Sequence, residues 1–109
     1  VGKFIKGEIV VIPFPFSDLS GSKKRPALVL ADLEGDDILL CQITSQSGKD
    51  FRAVSLISSD FESGSLPIDS FIRPARIFTA DKGIIIRKAG LVRDKVIDNV
   101  TKKIIDLLK

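Results

Sequence analysis

Apolar residues in this chain fall into short β-type runs as far as Ile86 and then change period once, near Arg93. In Glu8–Phe14, Ile9 and Val11 share one face while Val10, Ile12 and Phe14 share the other, and the Pro13/Pro15 pair stops the run. Residues 17–24 read as a polar loop. Pro26–Ala31 and Ile38–Thr44 are β-rich runs joined through Asp32-Leu33-Glu34-Gly35-Asp36-Asp37, whose turn residues suit an antiparallel hairpin. Ala53–Ile57 is a further candidate strand, Ser58–Ser63 a candidate helical turn, and Ser70–Ala80 one or two strands around Pro74. Ile84-Ile85-Ile86 is short and β-branched. Beyond Arg93, Val96, Ile97, Val100, Ile104, Leu107 and Leu108 recur every three to four residues, with Lys95, Lys102, Lys103 and Lys109 off that stripe. The class expected is mainly β (α+β): five to seven short strands in an SH3-like curved β-barrel, with a C-terminal amphipathic helix packed against it.

With 109 residues, 44% hydrophobic and 28% charged, and no repeat or low-complexity tract, the expectation is a single domain over 1–109. No apolar stretch approaches the ~20 residues of a membrane span and no signal-peptide core opens the chain, so a cytoplasmic setting and no membrane partner are expected. A chain of this size gains stability by oligomerising.

Histidine is absent, which removes Ser-His-Asp triads, His general bases and His-rich metal sites. A single cysteine, Cys41, excludes an internal disulfide and a Cys-cluster zinc site, and its place in an apolar run reads as a small buried hydrophobe. The net charge of +3 is unevenly laid out: +3 over residues 1–30, −6 over 31–70 and +6 over 71–109. A fold that joins the two ends makes one basic face, suited to nucleic acid.

Three polar clusters can carry chemistry. Gly21-Ser22-Lys23-Lys24-Arg25-Pro26 gathers three cations before a strand and can wrap a phosphate, although such a run also serves as a solvated loop guarding a hydrophobic strand. Gln42-Ile43-Thr44-Ser45-Gln46 ends the next strand in hydroxyls and amides, which either donate to a phosphate or satisfy a turn locally. Arg73-Pro74-Ala75-Arg76 would place its two arginines on opposite faces of a regular strand, but Pro74 breaks that regularity. Phe14 and Phe16, beside the basic loop, can stack unpaired bases or enter the core.

Together these pieces resemble the MazF/PemK toxins of type II toxin–antitoxin modules. Lys6-Gly7-Glu8-Ile9-Val10 is similar to the family's opening strand, and Gly21-Ser22 with Arg25-Pro26-Ala27-Leu28-Val29-Leu30 to its Gly-Ser loop and Arg-Pro strand. Ile43-Thr44-Ser45-Gln46 is similar to its strand-end Thr motif, and Thr79-Ala80-Asp81-Lys82 to its late Thr-x-Asp segment. The resemblance implies a homodimeric toxin that inhibits growth as a sequence-specific endoribonuclease. It would cut single-stranded RNA, often mRNA, without metal or other cofactor. It also implies a cognate antitoxin with an acidic, partly disordered segment. The family's catalytic Arg and Thr fall on Arg25 and Thr44; Ser22, Lys23, Lys24, Ser45, Gln46, Arg73, Arg76 and Phe16 are expected to bind RNA.

The chain departs from the pattern where many members have Glu-Gln and it has Lys23-Lys24, and where some relatives have an Arg-x-Asp pair and Ala75 follows Arg73. Neither place supplies a carboxylate base, which leaves Asp18 as the candidate. Two alternatives stand beside the nuclease. One is a gyrase poison on the same barrel, disfavoured by the absence of Trp and an ending in Asp106-Leu107-Leu108-Lys109; the other is a non-catalytic module that binds RNA or protein.

Overall fold

The alternation in the first strand puts side chains on both faces of one sheet, and both faces are covered. The computed structural model describes residues 3–14, 23–46, 48 and 50–109. It contains β1 (Glu8–Phe14), β2 (Lys23–Asp32), β3 (Asp37–Thr44), β4 (Val54–Leu56), β5 (Phe61–Gly64), β6 (Ser70–Asp81) and β7 (Arg87–Val92), followed by α1 (Asp94–Leu107). Short 3₁₀ turns at Ser58–Asp60 and Lys82–Ile84 precede β5 and β7. The strands form one antiparallel sheet in the order β4-β6-β3-β2-β1-β7-β5, curled into a half-barrel.

On one face, Ile9, Leu28, Cys41, Ile43, Leu56 and Ile72 pack with Val96 and Val100 of the helix, which lies against β4 and β6. On the other face, Val10, Ile12, Ala27, Val29, Ile38 and Leu40 pack beneath Phe4, with Ile84 and Ile85 beside them. Burying each such Val, Leu or Ile contributes about 1.5–3 kcal/mol, so neither face is expendable. Cys41 is fully buried; its Sγ–H donates to the Arg73 carbonyl at 3.0 Å, and burial pushes the thiol up to about 12, making it inert.

The late Thr-x-Asp segment has a structural task at the hairpin end of the sheet. Asp81 accepts from the Gly83 N–H at 2.7 Å, while Lys82 pairs with Asp32 at 2.6 Å and donates to the Gly35 carbonyl. The hairpin is thereby pinned to the end of β6.

Several expectations change. Lys23 and Lys24 open β2 instead of ending a loop, because Phe14 and Pro13 supply strand partners for them. Ser58–Ser63 divides into a 3₁₀ turn and β5. Residues 84–86 are followed by a strand the sequence does not announce, β7, which forms through pairing with β1 and β5. Leu108 lies beyond the helix and is 82% exposed, so it does not share the buried stripe of Val96 and Val100.

Candidate functional site

The β2–β3 ladder runs from Asp32↔Ile38 to Ala27↔Gln42, and next to its last pair stands Pro26, which has no N–H to give. A cleft of about 300 Å³ opens beyond that point. Lys23, Lys24, Arg25 and Pro26 line one side, Ile43 and Ser45 another, and Leu66, Pro67 and Ile68 a third. Its floor is apolar and its rim cationic. Arg25 and Thr44 each lie two residues past Ala27↔Gln42, and the period of two puts both on the face of that pair. Both side chains are half-buried.

Thr44 Oγ1 accepts from the Gln46 N–H at 3.2 Å. This is the local turn bond common for such residues, and it leaves the hydroxyl's own proton to donate. A guanidinium and a hydroxyl on one face at the ends of adjoining strands can hold two oxygens of one phosphate.

A second recess begins where β6 bulges. Between Cys41↔Ile77 and Ile43↔Ile72, β3 advances two residues while β6 advances five, so Arg73-Pro74-Ala75-Arg76 leaves the ladder. Pro74 turns inward and is buried. Both arginines line this recess, of about 490 Å³, with Gln46, Asp50, Phe51 and Arg52, so a bulge and not a regular strand decides their placement. Arg73 Nε donates to Asp50 Oδ2 at 2.9 Å, and its Nη1 reaches Gln42 Oε1 at 3.4 Å. Asp50 also accepts from the Arg52 N–H at 3.0 Å.

The Arg73 guanidinium, followed by the Arg52 N–H, holds the Asp50 carboxyl below the usual carboxylate range. Such a group is a poor proton acceptor and a good anchor. The lowered pKa means that the pair's stabilisation is complete above the ordinary carboxylate range and disappears as pH falls through the lower folded value. Asp50→Asn is therefore expected to lower stability at pH 7, with the difference from the parent vanishing in acid. Urea melts at a series of pH values measure this; a difference independent of pH would contradict it.

Lys23, Lys24, Arg25 and Ser45 line the first cleft, Arg73 and Arg76 the second, and Gln46 stands between Thr44 and the second. Cations from the first and last thirds of the sequence thus meet around the end of β3. Ser22, Phe16 and Asp18 lie outside the described residues. Sequence reading missed Asp50, Phe51 and Arg52; an aromatic beside a cation, shortly after the strand-end Thr, was the available signal. Among the described residues, no helix is long and apolar enough to cross a membrane.

No curated protein matches the chain. Solved structures do. An endoribonuclease in complex with its cognate antitoxin from a Mycobacterial species aligns over 97% of this chain and 95% of its own, at TM-score 0.75 and 14% identity. A MazE–MazF structure from Deinococcus radiodurans aligns over 94% of each chain at TM-score 0.74 and 21% identity. The Mycobacterium tuberculosis toxin MazF-mt6 aligns over 93% of this chain and 95% of its own, at TM-score 0.73 and 14% identity. At these identities the likeness establishes a common fold. Residues 5–108 match the family model of PemK-like, MazF-like toxins of type II toxin–antitoxin systems, and the chain belongs to that family.

Proposed function

We propose that the chain is a sequence-specific endoribonuclease that cuts single-stranded RNA without a metal ion and so inhibits growth. The observation that carries this reading is that Arg25 and Thr44 share one face at the adjoining ends of β2 and β3, with Arg25 lining the cationic cleft. RNA brings its own nucleophile. The 2′-oxygen attacks the adjacent phosphorus, the bond to the 5′-oxygen breaks, and the products are a 2′,3′-cyclic phosphate and a 5′-OH. The 2′-OH proton leaves during attack, and the departing 5′-oxygen takes up a proton.

A protein without histidine can accelerate such a step by holding the strand in line and by stabilising charge on the phosphate. Arg25 would clamp the non-bridging oxygens, and the Thr44 hydroxyl would donate to the same group. A guanidinium offers a planar fork of donors and no acceptor, so the part of Arg25 is electrostatic and not that of a base.

The apolar floor and cationic rim of the first cleft also suit an antitoxin segment that alternates acidic and apolar residues. Such a segment, folding on binding, would exclude RNA from the same cleft. A homodimer in the cytoplasm completes the reading. Purified protein is expected to cut a long single-stranded RNA in excess EDTA, and to stop when the cognate antitoxin is added. Wild-type protein that leaves many varied RNAs intact contradicts the nuclease reading and favours a module that only binds.

A further inference from the structure

Phe51 is a large aromatic side chain that the fold leaves 80% exposed. Its ring is not bare on both sides, because the Arg52 guanidinium carbon sits 4.4 Å from the ring centroid. A cation sits over the ring, and most of the side chain remains accessible to solvent. Around it, the recess carries Arg52, Arg73 and Arg76 against one carboxylate, Asp50, an excess of two positive charges. Asp50 is spent on Arg73, which the ion pair fixes in place. Arg76 is exposed. Gln46 lines the same recess, and its backbone N–H is bonded to Thr44 Oγ1, so the recess lies directly beside the proposed reaction site.

We propose that this recess is a nucleotide subsite for single-stranded RNA, in which an unpaired base flanking the scissile phosphate stacks on the face of Phe51 opposite Arg52. The layers are then Arg52, Phe51 and the base. Arg76 meets the adjoining phosphate, and the Gln46 amide faces the base edge. Stacking on an aromatic face tolerates any base, and the cation behind the ring adds to its hold on the strand. Asp50 and Arg73 are positioning residues: they hold the bulge against the loop that carries Phe51. The inference rests on the RNA-cleaving reading for its substrate and is tested apart from cleavage.

The probe is a single-stranded 2′-fluoro RNA pool bearing 5-iodouracil, which lacks the 2′-OH and cannot be cut by internal attack. The wild-type chain is expected to crosslink through Phe51 on illumination. Phe51→Ala should lose that crosslink and bind the pool about tenfold more weakly, while Phe51→Trp retains binding. Arg76→Ala should reduce the slope of log affinity against log salt by about 0.7, the value for one phosphate contact on a single strand. Unchanged affinity in Phe51→Ala overturns the subsite, and so does a change in its sedimentation mass with RNA binding intact, which would make Phe51 a contact between copies. Wild-type protein that crosslinks through Phe51 yet never cuts natural RNA keeps the subsite and overturns the nuclease. Wild-type protein that cuts RNA while Phe51→Ala binds normally does the reverse.

Discussion

Arg25→Ala is expected to lower kcat/KM for RNA cleavage by about a thousandfold and to leave the circular dichroism spectrum and melting temperature unchanged. The magnitude follows from what one well-placed donor contributes to a charged transition state, about 10²–10³ in rate. Arg25 brings a full charge and a planar fork, which places it at the upper end. The fold should tolerate the loss because Arg25 is half-buried beside the cleft, beyond the last β2–β3 pair, and the core residues Ala27 to Val29 follow it. Arg25→Lys keeps the charge but not the fork and should recover part of the rate. Thr44→Val, nearly isosteric, removes the hydroxyl alone and should cost about a hundredfold. Full activity in Arg25→Ala would remove that residue from the mechanism.

The largest expected effect on stability comes from a residue that touches no substrate. Gly64 ends β5 with φ of +72° and pairs with Gly90 of β7. A Cβ on Gly64 would run into the Ala89 carbonyl oxygen and come within 2.5 Å of Gly90 Cα. Both are backbone atoms, which cannot swing aside. The same closeness is seen from the other strand, where a Cβ on Gly90 would meet the Ser63 carbonyl at 2.6 Å and the Phe61 ring at 3.0 Å. A left-handed conformation costs an L-residue about 1–2 kcal/mol, and overpacking typically adds about 1–3 kcal/mol. Gly64→Ala should therefore lose about 2–5 kcal/mol, a fall in Tm of at least about 10 °C for a chain of this size. Thermal unfolding followed by circular dichroism measures it, and a shift of only a degree or two would contradict the close approach. The consequence reaches the cleft, since Leu66, Pro67 and Ile68 follow Gly64 and form one of its walls.

What was legible in the residues was local. The alternation of β1, the Asp/Gly connection between β2 and β3, and the helical spacing of Val96, Ile97, Val100 and Ile104 each carry their own signal, and each forms as read. β7 carries none. Arg87-Lys88-Ala89-Gly90-Leu91-Val92 has two cations and a glycine, and becomes a strand because β1 and β5 offer edges on either side of it.

The candidate site divides along the same line. Arg25 and Thr44 stand out by motif, and adjoining strands bring them to one end of the sheet. The Asp50–Arg73 pair depends on a bulge whose size Pro74 alone does not disclose. Phe51 reads as an ordinary apolar residue until the fold leaves it outside the core. The cations that the charge layout sets at the two ends of the sequence line two recesses, since β2 and β6 flank β3 and carry theirs to either side of it.

The most direct test of the account is the chemistry at the cut ends. After incubation of single-stranded RNA with the protein in excess EDTA, every new end should be either a 5′-OH or a 2′,3′-cyclic phosphate, because the nucleophile is the RNA's own 2′-oxygen. Products bearing 5′-phosphates, or RNA left uncut, would contradict it.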